Sequence, residues 1–143
     1  MKALVDTCII IDVLQNREPF SDDAKQIFFA VANKEITGYI SAKSVLDVYY
    51  LTHRLTHSDE ITRKILKTLL GLFDILDTTQ LDIRQALSSK ITDYEDAVMC
   101  ETAKRCDVDC IVTRNQKDYE CSEMVVYSPK EFLDKITKIQ AGE

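Results

Sequence analysis

Lys2-Ala3-Leu4-Val5-Asp6-Thr7 opens the chain, and its reading decides the fold. Ala3-Leu4-Val5 is a short, unbroken apolar run that stops on a carboxylate. A run with no polar alternation predicts a strand buried on both faces. Such a strand needs helices above and below it, and the following residues read as those helices. Residues 8–15 read as a helix; Pro19 breaks the chain; Ser21-Asp22-Asp23 caps a second helix reaching residue 33. Residues 36–40 form a second strand. Ser41 or Ser44 caps the helix carrying Asp47, which runs to residue 55. Ser58-Asp59-Glu60 starts another, with Ile61, Ile65, Leu69 and Leu72 on helical spacing. Residues 73–76 are a strand, 80–88 a helix, and Asp93 caps a helix that runs to Arg105. Residues 109–113 and 124–127 are strands. Ser128-Pro129-Lys130-Glu131 opens a last helix, with Ser at the cap and Pro in the first turn.

Strands and helices alternate throughout. The pattern predicts an α/β fold: a Rossmann-like three-layer sandwich with a central parallel sheet flanked by helices, one domain over residues 1–143. In such sheets ligands bind beyond the carboxyl ends of the strands, at the switch in strand order. Asp6 ends the first strand, and Thr113, Arg114 and Asn115 end the strand at 109–113. If those two strands are neighbours, their ends form one crevice.

At 143 residues the chain is long enough for a proper core, and with 45% hydrophobic and 29% charged residues it reads as globular rather than disordered. No apolar run approaches the ~20 residues that span a bilayer. An acid at position 6 comes too soon for a signal-peptide core, so a cytoplasmic location is the expectation. Five cysteines are present without a C-x-x-C pair, which argues against a zinc knuckle and for free thiols in a reducing compartment. The net charge of −6 argues against nucleic-acid binding driven by bulk charge. It leaves room for a nuclease, whose metal offsets carboxylates and whose basic rim guides a phosphate backbone.

Three aspartates stand in apolar surroundings. Asp6 ends the first strand, Asp47 interrupts Val45-Leu46-Asp47-Val48-Tyr49-Tyr50-Leu51, and Asp96 opens the helix Asp96-Ala97-Val98-Met99. Buried unpaired carboxylates are costly, and three around one cavity would repel each other without a cation. Hard ions such as Mg2+ and Mn2+ prefer carboxylate and water oxygens, and a carboxylate-held metal suggests phosphodiester chemistry. Each aspartate also has a plain structural reading. Asp6 is a candidate helix cap. Asp47 fits a polar helix face with Ser44 one turn before it, although Leu51 one turn later weakens that reading. Asp93 and Asp96 have capping-box spacing.

The segments Leu4-Val5-Asp6-Thr7, Asp93-Tyr94-Glu95-Asp96-Ala97 and Ile111-Val112-Thr113-Arg114-Asn115-Gln116-Lys117-Asp118-Tyr119 together resemble the PIN domain. The likeness is to the branch reading D-F-E-D-A and T-R-N-x-x-D-F, and it extends to Arg17-Glu18-Pro19-Phe20 and Ser128-Pro129-Lys130-Glu131-Phe132. The resemblance implies a metal-dependent ribonuclease, commonly the toxin of a VapC-type toxin–antitoxin pair. Its cofactor would be Mg2+ or Mn2+. Its partners would be an RNA substrate, a small antitoxin and a second copy of itself. Carried over, Asp6, Asp47 and Asp96 take the first three acidic positions, and Asp6 and Asp96 are the implied direct or water-bridged ligands. Asp47 stands where many relatives have Glu and is a ligand or orients the attacking water. Asn115 takes the fourth position, where other relatives have Asp; its amide oxygen carries no charge. Asp118 compensates as a further ligand or only caps the next turn. Thr113 has a hydroxyl suited either to support a metal ligand or to contact a substrate phosphate, and Arg114 and Lys117 are the implied phosphate contacts at the rim.

Cys8 lies two residues after Asp6, either as a thiol near the metal or as a small residue packed at a helix start. His53 and His57 are four apart, but no third ligand accompanies them, so a surface pair at a helix end is expected. Tyr49-Tyr50 reads as core and interface packing. Two other functions stay open: a catalytically weak PIN fold that binds nucleic acid or protein, and a different Mg2+-dependent phosphotransferase. The three glycines, Gly38, Gly71 and Gly142, form no phosphate loop, which argues against the last.

Overall fold

The structure, a computed structural model, describes residues 1–120 and 122–142. Among the described residues five strands form one sheet in the order β3-β2-β1-β4-β5: β1 Lys2–Val5, β2 Thr37–Ser41, β3 Asp74–Leu76, β4 Cys110–Val112 and β5 Val126–Tyr127. Every pairing is parallel. The helices are α1 Thr7–Leu14, α2 Ser21–Ala32, α3 Ala42–Thr56, α4 Asp59–Leu72, α5 Gln80–Ala86, α6 Tyr94–Arg105 and α7 Pro129–Gln140, with a 3-10 turn at Gln116–Tyr119. The three-layer α/β sandwich expected from the alternation of elements is the fold observed.

Side chains of successive strand residues leave opposite faces of the sheet, and the two cores follow that rule. Ala3 and Val5 of β1, with Cys110 and Val112 of β4, pack against Ile9, Ile27, Val48, Leu69 and Phe132 from α1, α2, α3, α4 and α7. Leu4 and Ile111 face the other way, onto Ala86 of α5 and Ala97, Cys100 and Ala103 of α6. Gly38 of β2 is required by packing: a Cβ there would stand 2.8 Å from Cδ1 and Cε1 of the Phe73 ring and from Val31 Cγ2.

The helix caps match the expected residues except at α2, where Phe20 holds the cap position without a side-chain bond and Ser21, already helical, donates its hydroxyl to Glu18 Oε1. Ser41 caps α3 by accepting from Ser44 N–H, Ser58 caps α4, and Ser128 closes a full capping box with Glu131 on α7. Two further expectations fail. The Tyr49-Tyr50 pair is not core: Tyr50 is 66% exposed, and Tyr49 donates its hydroxyl to Asp59 Oδ1 at 2.5 Å. Ile61 is also half-exposed, and Thr62 turns inward in its place, bonded to Thr56 Oγ1 and to the Ser58 carbonyl. His53 stacks on Tyr49, while His57 ends α3 in the left-handed conformation. Cys100 and Cys110 are buried and Cys8 and Cys106 half-buried; Cys121 lies outside the described residues.

Candidate active site

The chain enters the sheet at its centre, runs outward to β2 and β3, and returns to place β4 on the other side of β1. That reversal is the topological switch. Val5 pairs with Val112, and the backbone continues in step, Asp6 N–H donating to the Val112 carbonyl at 3.0 Å. Asp6 and Thr113 therefore emerge side by side, and Thr113 Oγ1 donates to Asp6 Oδ2 at 2.7 Å. The other oxygen, Oδ1, accepts from Thr7 N–H at 2.8 Å and so caps α1. The capping and functional readings of Asp6 are thus both met by one carboxylate.

A run of hydroxyls fixes α3 beside this point. Thr7 Oγ1 donates to Ser44 Oγ at 2.8 Å, and Ser44 Oγ lies 2.9 Å from Ser41 Oγ. Asp47 sits one turn beyond Ser44. Asp96 comes from the first turn of α6. Asp93 caps that helix through Asp96 N–H, but the Asp96 carboxylate does not complete a capping box. It turns to Tyr119, whose hydroxyl donates to Asp96 Oδ1 at 3.1 Å. Asp6, Asp47 and Asp96 line one cavity of about 340 Å³, with Thr7, Ser41, Ser44, Lys43 and Glu95 among its polar walls and Ile83, Val98 and Met99 among its apolar ones.

The carboxylates in this cavity differ in their counter-charges. Burial raises the Asp6 pKa, and the bonds from Thr113, Thr7 and Cys8 only partly offset it. Burial also lifts Asp96 to about 6, against the Tyr119 bond and with the negative charges of Asp93, Asp6 and Asp118 adding to it. Among the described residues no basic side chain makes an ion pair with either one. Asp47 is different: Lys43 Nζ reaches its Oδ2 at 2.6 Å and Glu95 Oε2 at 3.0 Å. Partial burial disfavours the Lys43 charge, but the bonds and attraction of Asp47 and Glu95 outweigh that and raise its pKa.

These donors suit a hard divalent ion: two under-neutralised carboxylates, a third acid across the cavity and several hydroxyls. Among the described residues, no three acidic, histidine or cysteine side chains stand close enough together to enclose an ion as they are arranged here. The Lys43 ammonium holds Asp47 in another bond. Cys8 Sγ lies 3.7 Å from Asp6 Oδ2, and burial, with the nearby Asp6 charge, pushes its thiol up to about 11.

The remaining sequence candidates lie around this cavity rather than in its wall. Thr113 touches it only through Asp6. Asn115 follows at the start of the 3-10 turn, its N–H donating to Thr113 Oγ1 at 3.0 Å. Lys117 and Asp118 line a second cavity of about 430 Å³ with Lys90, Thr92 and Asp93. Arg114 points to α1: it makes two bonds to buried Asp12, the nearer at 2.7 Å, and its guanidinium lies 3.9 Å from the centre of the Phe20 ring. Sequence reasoning missed Lys43, Glu95 and Tyr119. Lys43 was signalled by its place four residues before Asp47 on one helix. Tyr119 closes the Thr113–Tyr119 segment, and Glu95 adjoins Asp96.

A family model for the PIN domain matches residues 2–117. The chain belongs to the PIN domain family. No curated protein matches it. Among solved structures, a toxin–antitoxin complex from Klebsiella pneumoniae is similar at 28% identity and TM-score 0.64, over 89% of this chain and 97% of that one. FitAcB from Neisseria gonorrhoeae matches at 20% identity and TM-score 0.66, over 90% and 98%. VapBC2 from Rickettsia felis, bound to a DNA fragment from its promoter, matches at 14% identity and TM-score 0.64, over 90% and 98%. The last two show likeness of fold. PIN domains are generally nucleases, and this PIN domain carries its carboxylates at the switch of the sheet.

Proposed function

We propose that this PIN domain is a metal-dependent endoribonuclease, the toxin of a type II toxin–antitoxin pair. One observation supports this most: Asp6 and Asp96 share a cavity at the switch point with only neutral donors bonded to them. Asp6 and Asp96 would hold Mg2+ or Mn2+. Asp47 would join them or orient the attacking water, and Asp118 would lend charge from the adjacent cavity. Asn115 at the fourth position carries no charge, so a second tightly held ion is not implied. The metal, when bound, would lower the pKa of a bound water and stabilise charge on the attacked phosphate. Thr113 holds Asp6 in orientation, Tyr119 does the same for Asp96, and Lys117 would supply positive potential for the RNA backbone, while the charge of Arg114 is largely met by Asp12.

The partners follow from the same reading: RNA as substrate, a small antitoxin protein, and a second copy of the chain as a homodimer. No helix among the described residues is long and apolar enough to cross a membrane. We place the protein in the cytoplasm. Exposed Leu46 and Tyr50 on α3 offer apolar surface to a partner chain. Light scattering at tens of micromolar is expected to give a dimer mass; a monomer mass would remove the dimer.

The separation of the acids noted above favours one second reading, a catalytically weak PIN fold that acts as a binding module. Purified protein incubated with single-stranded RNA and Mn2+ tests the two. Internal cleavage that stops with chelator, and is lost in Asp96→Asn, supports the nuclease. Binding without cleavage overturns it.

A further inference from the structure

The acidic cavity already contains a cation. Lys43 is the one basic side chain among the described residues that line it. It is held across the gap between two helices, at 2.6 Å from Asp47 of α3 and 3.0 Å from Glu95 of α6. Lys43 and Asp47 are one helical turn apart, so that bond forms from local geometry. The Glu95 bond spans 52 residues of chain and depends on how α3 meets α6. Lys43 and Asp47 are only half-buried, at 50% and 36% exposure, and Glu95 is largely exposed at 72%. Ion pairs this exposed are weak and readily exchanged.

We propose that Lys43 is a placeholder cation: in the ion-free protein its ammonium pairs with Asp47 while bridging to Glu95, and a divalent ion must displace it from Asp47 to gain that ligand. This rests on the cavity being the metal site. It adds that metal affinity is set against an internal competitor, one that is then free to meet an incoming phosphate.

A double-mutant cycle read by calorimetry of Mn2+ binding tests this without any activity measurement. Lys43→Met removes the competitor and should tighten Mn2+ binding by on the order of twofold to fivefold. Loss of a nearby positive charge would by itself do something similar, so the cycle with Asp47→Asn decides. If Lys43 masks Asp47, Asp47→Asn weakens Mn2+ binding several-fold more in the Lys43→Met background than alone. Circular dichroism on each variant separates loss of binding from loss of fold. Asp96→Asn is the reference. If it binds Mn2+ as the wild type does, the metal-site reading falls and the placeholder with it. If it loses binding while Lys43→Met is unchanged, or while the two substitutions are simply additive, the placeholder alone is overturned.

Discussion

Thr113 Oγ1 and Asp6 Oδ2, 107 residues apart in the chain, meet at 2.7 Å where β4 and β1 end side by side. The bond has two consequences. It supplies the donor that a buried carboxylate needs. It also fixes which Asp6 lone pairs remain open to the cavity. Thr113 itself is fully buried and accepts from Asn115 N–H, so it ties the first strand to the turn after the fourth.

Replacing Thr113 with Val keeps the shape and removes both bonds. Asp6 Oδ2 loses its closest donor, at about 1–3 kcal/mol, whereas the exposed Asn115 N–H can turn to water. The expected result is a clear loss of stability in urea titration, with Thr113→Ser close to wild type. The Asp6 pKa, already raised by burial, should rise further without the Thr113 bond. Any metal-dependent cleavage should then shift its acid limb to higher pH. An unshifted limb would show that Asp6 does not depend on Thr113.

Asp96 gives the pH prediction. Its folded pKa of about 6 lies above its ordinary value of 3.8. The folded protein therefore binds the proton more tightly than the unfolded chain. Stability of the metal-free protein should fall as pH rises from about 4 to about 6 and then level off, so far as this group is concerned. The two-unit shift sets an upper limit near 3 kcal/mol, which partial exposure reduces to on the order of 1 kcal/mol. Asp96→Asn should remove that slope and leave the metal-free protein at neutral pH equally stable or slightly more so, while metal binding and cleavage fall together. A less stable variant that still cleaves at the wild-type rate would return Asp96 to the role of a first-turn helix residue.

Arg114 should behave as an ion-pair partner. Asp12 is fully buried, and Arg114→Met leaves its charge unpaired, at a cost of about 3 kcal/mol. Changing both, Asp12→Leu with Arg114→Met, should recover most of that loss. If Arg114→Met is no less stable than wild type but binds RNA more weakly, the guanidinium acts mainly on substrate.

Gly38→Ala tests the packing of β2 on the helix layer. The new methyl would meet the buried Phe73 ring and Val31 at 2.8 Å. Overpacking of this kind costs about 1–3 kcal/mol, and Phe73→Leu in the same chain should return part of it. Thermal unfolding of the two variants checks this.

Much of this was legible in the chain because the signals were local. Ala3-Leu4-Val5 and Cys110-Ile111-Val112 are too short and too apolar for anything but central strands, and serine caps mark the starts of α3, α4 and α7. Tyr49 and Tyr50 were misread because a helix face rich in aromatics is the same in sequence whether it meets a core or solvent. Thr62 was overlooked because a threonine on an apolar helix stripe becomes a buried residue only when a neighbouring turn offers it an acceptor.

The aspartates mark the boundary between the two levels. Sequence alone set the strand and helix order, hence the parallel sheet and the placing of Asp6 at a strand end. Singling out acids among apolar neighbours also found Asp47 and Asp96, but the same criterion applies to Asp12, inside the apolar α1. Asp12 and Asp82 are as buried as any residue here, and each is met by an arginine, Arg114 and Arg105. Asp47 is met by Lys43, and Asp6 and Asp96 only by neutral donors. Lys43 is local to Asp47, but whether each other carboxylate meets an arginine or only a hydroxyl depends on side chains 23 to 107 residues away, brought within 3 Å or so by the packing of α6, β4 and α1. Coulomb energy depends on distance in space and on the surrounding dielectric, and neither is written in the order of residues.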